Sequence, residues 1–124
     1  RVSAALNKPL DSRGTTQLLV AVMDRKIDQV WQLIDQGAAV NQAMTDTGNF
    51  PLLMAATHGY AEVLHLLISG GAAVNQARRD SGATPLFIAA EYGHTEVVRL
   101  LIGGGAAVNK SRTDYGTTPL YTAA

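Results

Sequence analysis

The chain has 124 residues, a length that suits one compact unit, and its ten Lys plus Arg balance ten Asp plus Glu. The neutral charge removes any global pull toward phosphate backbones or anionic membranes, and the lack of Cys excludes disulfides, thiolate metal sites and thiol nucleophiles. Only 16% of residues are charged, against a typical ~25%, while 19 Ala and 12 Gly fill a quarter of the chain, which points to closely packed backbones.

Residues 1–13 are a lead-in. They lack a signal-peptide layout, and the longest apolar run, Leu18 to Met23, is far short of the roughly 20 residues that span a bilayer. An intracellular, cytoplasmic chain with no membrane partner is the expectation. Ala4-Ala5-Leu6-Asn7 stands 34 residues before Ala38-Ala39-Val40-Asn41, so residues 3 to 13 also read as the tail of an earlier repeat.

Gly14 opens a unit that recurs. Gly14, Gly48, Gly82 and Gly116 are each 34 residues apart, as are Gly37, Gly71 and Gly105, each followed by Ala-Ala-Val-Asn. Residues 48–81 set over 82–115 give 19 identities in 34 positions without a gap. The chain therefore divides into 1–13, the units 14–47, 48–81 and 82–115, and a start of a fourth at 116–124.

In the first unit Gln17 stands where its sisters have Pro, Arg25-Lys26 replace Gly-Tyr and Gly-His, and Gln29 and Gln32 replace Val63/Val97 and Leu66/Leu100. Polar residues at sites that would touch a preceding unit suit an N-terminal cap. Trp31, in the register of His65 and Arg99, is expected outside, either packed on residues 1–10 or marking a contact surface.

The third unit shows the helices most clearly. Thr84 can cap a helix with its hydroxyl and Pro85 needs no N–H in a first turn, so a helix is predicted over 85–92, stopping at Gly93. His94 or Thr95 opens a second, with Glu96 at its positive end and Val97, Val98, Leu100, Leu101 and Ile102 apolar, before Gly103-Gly104-Gly105 ends it. Such short helices are marginal alone, so each unit must bury its face on the next. Residues 116–124 lack a second helix, so Val98, Leu101 and Leu120 are expected to be partly uncovered and the chain to be a fragment, monomeric in dilute solution with end-to-end contacts open to its uncapped end.

A 34-residue period is the tetratricopeptide number, but the turn formers from Ser69 to Pro85 call for a long finger-like loop. Gly82-Ala83-Thr84-Pro85-Leu86, Ala89-Ala90, Gly93-His94, Glu96-Val97-Val98, Leu100-Leu101 and Gly105-Ala106-Ala107-Val108-Asn109 resemble ankyrin repeats, in a 34-residue variant. The resemblance implies an all-α solenoid of antiparallel helix pairs joined by finger-like β-hairpin loops. Phe50 stands where the family has Thr, and Leu53, Phe87 and Tyr121 where it often has His; these trade a hydrogen-bonded helix start for packing.

No catalytic constellation is visible. There is no Gly-x-Ser-x-Gly elbow, the carboxylates are spread one or two per unit, and His58, His65 and His94 lack metal-ligand spacing. His94 is in the Gly-His place, where the ring bonds nearby loop backbone in the family. Gly103-Gly104-Gly105 lacks the Lys-Ser/Thr of a phosphate loop, and Asn109 fits a sequon but recurs as Asn41 and Asn75, which favours a loop role. The expectation is a non-enzymatic module without cofactor or metal.

The resemblance further implies a protein or peptide partner, and no nucleic acid, on a concave strip of fingertips and first-helix ends. On the fingers the strip takes Arg13, then Met44, Thr45 and Asn49, then Arg78 and Arg79, then Arg112 and Tyr115; the helix ends add Met23, Asp24, Thr57, His58, Glu91 and Tyr92. Arg78, Arg79 and Arg112 would form a basic ridge for an acidic peptide, partly neutralised by the row Asp46, Asp80 and Asp114, each expected to bond local backbone. A second function class is a targeting arm of a longer enzyme or secreted effector whose catalytic domain lies elsewhere.

Overall fold

The computed structural model describes residues 5–106. Six helices follow in pairs: α1 (Gln17–Met23) and α2 (Ile27–Asp35), α3 (Pro51–His58) and α4 (Ala61–Ser69), α5 (Pro85–Glu91) and α6 (Thr95–Gly103). Within each pair the helices pack on one another, and the first helices (α1, α3, α5) and second helices (α2, α4, α6) also stack on their counterparts. The result is a two-layer solenoid with one continuous core.

The helix starts follow from the residues. The Thr16 and Thr84 hydroxyls accept the N–H of Leu19 and Phe87, at 3.2 and 3.3 Å. Phe50 at the equivalent place makes no side-chain cap and is instead buried, so α3 starts on packing and on Pro51, as its sequence suggests. Ala21, Ala55 and Ala89 recur every 34 residues and are all buried where α1, α3 and α5 meet, which explains the Ala surplus.

The units are tied by a recurring asparagine. The Asn41 carbonyl Oδ1 accepts the Ala73 N–H at 2.8 Å, and Gln76 Nε2 donates to the Asn41 backbone carbonyl at 3.0 Å. Asn7 does the same for Ala39 and Gln42, at 2.8 and 3.2 Å, so the lead-in occupies the place that a repeat end fills elsewhere. This is the loop role expected of the asparagine series; Asn109 lies outside the described residues.

No strand forms among the described residues. Each finger closes on a single narrow pair, Leu10 N–H to Thr15 O, Met44 N–H to Asn49 O and Arg78 N–H to Ala83 O, at 2.6, 2.7 and 2.9 Å. The ladder stops there because the next residue, Thr16, Phe50 or Thr84, is already a helix cap and the one after it enters the helix.

One expectation about burial is corrected. Leu101, expected to be partly uncovered, is 0% exposed because it belongs to the continuous core, as Leu67 in the same register does; Val98 is partly buried, as expected. Trp31, expected outside, is 57% exposed and lines a cleft of about 180 Å³ with Ile34 and with Leu66 and Gly70 of the second unit. At the N-terminal face Gln29 and Gln32 are exposed, whereas Val63 and Val97 in the same register are buried.

Candidate functional site

Along the finger side of the solenoid, register positions repeat across three units while their side chains change. The ends of the first helices present Asp24, His58 and Tyr92 in one row, all exposed, and Met23, Thr57 and Glu91 in the row before it. The fingertips add the row Asp11, Thr45 and Arg79, also exposed. Thr57 spends its hydroxyl on the Leu53 carbonyl at 2.8 Å, and His58 stacks on Tyr60 with centroids 5.3 Å apart. Tyr92 is 57% exposed and meets His94 edge-on at 6.2 Å.

Met44 departs from this arrangement. It is 4% exposed, because both its N–H and its carbonyl are held inside the finger neck and its side chain joins the core. Asn49 is partly buried, its N–H donating to the Thr47 hydroxyl at 3.2 Å.

The charges of the fingers are largely paired. Arg13 Nε donates to Asp46 Oδ2 at 2.7 Å across two fingers, and Asp46 Oδ1 accepts the Thr47 N–H at 2.7 Å. The Arg13 guanidinium holds the Asp46 carboxyl below the usual carboxylate range, and Asp46 in turn raises Arg13. Asp80 takes a two-pronged contact from Arg78 of its own finger, at 3.0 and 2.6 Å, and is lowered for the same reason. Asp11 is lowered foremost by the Thr15 backbone N–H, 3.1 Å away. The turn role expected of the aspartate row is thus shared with arginine pairing. Of the three arginines expected to form a ridge, Arg78 is neutralised by Asp80, Arg79 is exposed and unpaired among the described residues, and Arg112 lies outside them, as does Tyr115.

Three expected residues, Arg13, Met44 and Asn49, come together on a cleft of about 280 Å³ between the first finger and α1. Its walls also include Met23, Asp24 and Met54, and of these Met54 escaped the sequence reading. The signal for it was present: Met54 shares a register with Val20 and Ile88, one turn before the Met23 row on the same helix face. Arg78, Arg79, Glu91 and Tyr92 are not on this cleft.

His94 is engaged structurally, its Nε2 3.0 Å from the Thr57 carbonyl oxygen. Among the described residues no group of three or more His, Asp or Glu is placed to hold a metal ion, and no helix is long and apolar enough to cross a membrane.

A family model described as ankyrin repeats in three copies matches residues 2–78 and 64–124. No curated protein matches the chain.

Proposed function

The chain belongs to the ankyrin-repeat family, whose members are generally protein-protein interaction modules and typically not catalysts, and we propose that this one is a non-enzymatic module binding a protein or peptide along its finger-side strip. The observation that carries the reading is the contrast between frame and strip. Frame residues recur at fixed spacing with the same partner, as in Asn7 to Ala39 and Asn41 to Ala73, whereas the exposed rows Asp24/His58/Tyr92 and Asp11/Thr45/Arg79 change chemistry from unit to unit. A constant frame presenting varied side chains offers complementarity at little ordering cost on binding.

Tyr92 in the third unit supplies an exposed aromatic anchor and Arg79 at the end of the second an exposed cation without a partner among the described residues, the kind of side chains that dominate binding energies. The test is substitution. Tyr92→Ala and Arg79→Ala should each weaken a selected partner by about tenfold while leaving the melting temperature within about 2 °C. Equal losses of stability and binding would overturn the map.

A further inference from the structure

Resting on that binding reading, we propose that the cleft between the first finger and α1 receives an apolar side chain of an extended partner segment that carries a Lys or Arg next to it. The chain has three methionines, and all three line this one cleft: Met23 from the end of α1, Met44 from the second finger and Met54 from α3. Met44 and Met54 are nearly buried and form its floor, while Met23, 46% exposed, forms a lip. Thioether side chains are unbranched and polarizable, so they reshape around different aliphatic or aromatic guests. The volume of about 280 Å³ is enough for one large side chain and too small for a folded element.

The charges beside the cleft select the neighbour of that side chain. Asp24 is the C-cap of α1, where the exposed carbonyls already present negative charge, and its carboxylate has no side-chain partner among the described residues. Across the cleft Asp11 accepts the N–H groups of Arg13 and Thr15 at 3.0 and 3.1 Å, which fixes its position and leaves it ionised. Of the cations near the cleft, Arg13 lines it and is drawn off by Asp46 at 2.7 Å, and Arg25, next to Asp24 in the chain, carries its guanidinium over the Tyr60 ring at 5.5 Å. The charged groups lining the cleft are thus two carboxylates, Asp11 and Asp24, and one guanidinium already paired with Asp46. A cationic side chain entering here offsets Asp11 and Asp24 and also favours the α1 terminus, whereas an acidic one is repelled. The other units lack this pair: His58 and Tyr92 replace Asp24, and Thr45 and Arg79 replace Asp11.

The test is to select extended random peptides on the intact chain and to follow the ε-methyl NMR signals of the three methionines during titration. Selected peptides should pair Lys or Arg with Leu, Ile, Met or Phe and should shift all three methyl signals. Asp24→Asn should weaken them about fivefold, and more at low salt than at high. Met23→Gln should weaken them comparably, with melting unchanged because both side chains are exposed. Peptides that bind but are acidic or neutral, leave the methionine methyls unmoved and ignore Asp24→Asn would overturn this proposal while leaving the binding reading intact. Failure to select any peptide on the folded chain would overturn both.

Discussion

Nε2 of His94 lies 3.0 Å from the carbonyl oxygen of Thr57, joining the start of α6 to the last turn of α3 across a repeat boundary. A carbonyl only accepts, so this nitrogen carries the proton and donates it. Thr57 is among the last residues of its helix, whose carbonyls have no partner within it. His94→Ala should therefore cost about 1 to 2 kcal/mol in urea unfolding, and a loss near zero would show that water replaces the ring.

The same contact makes two glycines differ. Gly59 and Gly93 are both left-handed, with φ of 71° and 74°, so Ala at either should cost about 1 kcal/mol from the backbone alone. A Cβ on Gly59 would also lie 2.6 Å from His94 Nδ1, while one on Gly93 would meet nothing. Thermal melts should rank Gly59→Ala as the more damaging. The pair Gly59→Ala with His94→Ala should lose less than the sum, since the clash disappears with the ring.

Core and strip should separate cleanly. Leu86 and Leu101 are essentially unexposed, and truncating either to Ala should remove about 2 to 5 kcal/mol, measured by denaturant midpoint. Arg79→Ala should stay within about 0.5 kcal/mol, because the side chain is exposed and unpaired among the described residues.

The helices were legible because their signals are local. A cap hydroxyl, a first-turn proline and a glycine stop bracketed 85–92 and an opening at residue 94 or 95, and the structure gives Pro85–Glu91 and Thr95–Gly103. The 34-residue register carried that result to the other units. Burial was harder, because it depends on which neighbour each side chain meets. Met44 looks like a fingertip residue, yet its place in the narrow pair with Asn49 turns it inward. Leu101 reads from the sequence as partly uncovered, yet it belongs to the continuous core in the register of Leu67. The charge of the arginines was hard to read for a third reason: whether a fingertip guanidinium is free depends on a carboxylate two residues, or one finger, away.

Acid should weaken the fingers. Asp11, Asp46 and Asp80 are all lowered below the ordinary value of 3.8, so their contribution is complete above that pH and is lost as pH falls through 3.8 toward their folded values. The melting temperature should hold at mildly acidic pH and decline below about pH 4. Asp46→Asn should lower it at neutral pH and narrow the gap between neutral and acid. A variant that melts with the same acid dependence as the parent would show that the Arg13 contact adds nothing.

One register position, held by Asp46 and Asp80, is used in two ways, and this gives the row of fingers a mechanical grain. Asp46 works as a rivet: with the Thr45 N–H on the Arg13 carbonyl at 2.8 Å, it fastens the second finger to the first. Asp80 works as a clasp, gripping Arg78 of its own finger, and the Arg79 N–H makes no bond to the finger before it. Pulling the first two tips apart must break an ion pair and an amide bond that the equivalent residues of the third finger do not supply. Under strain, the comb should open first between its second and third teeth.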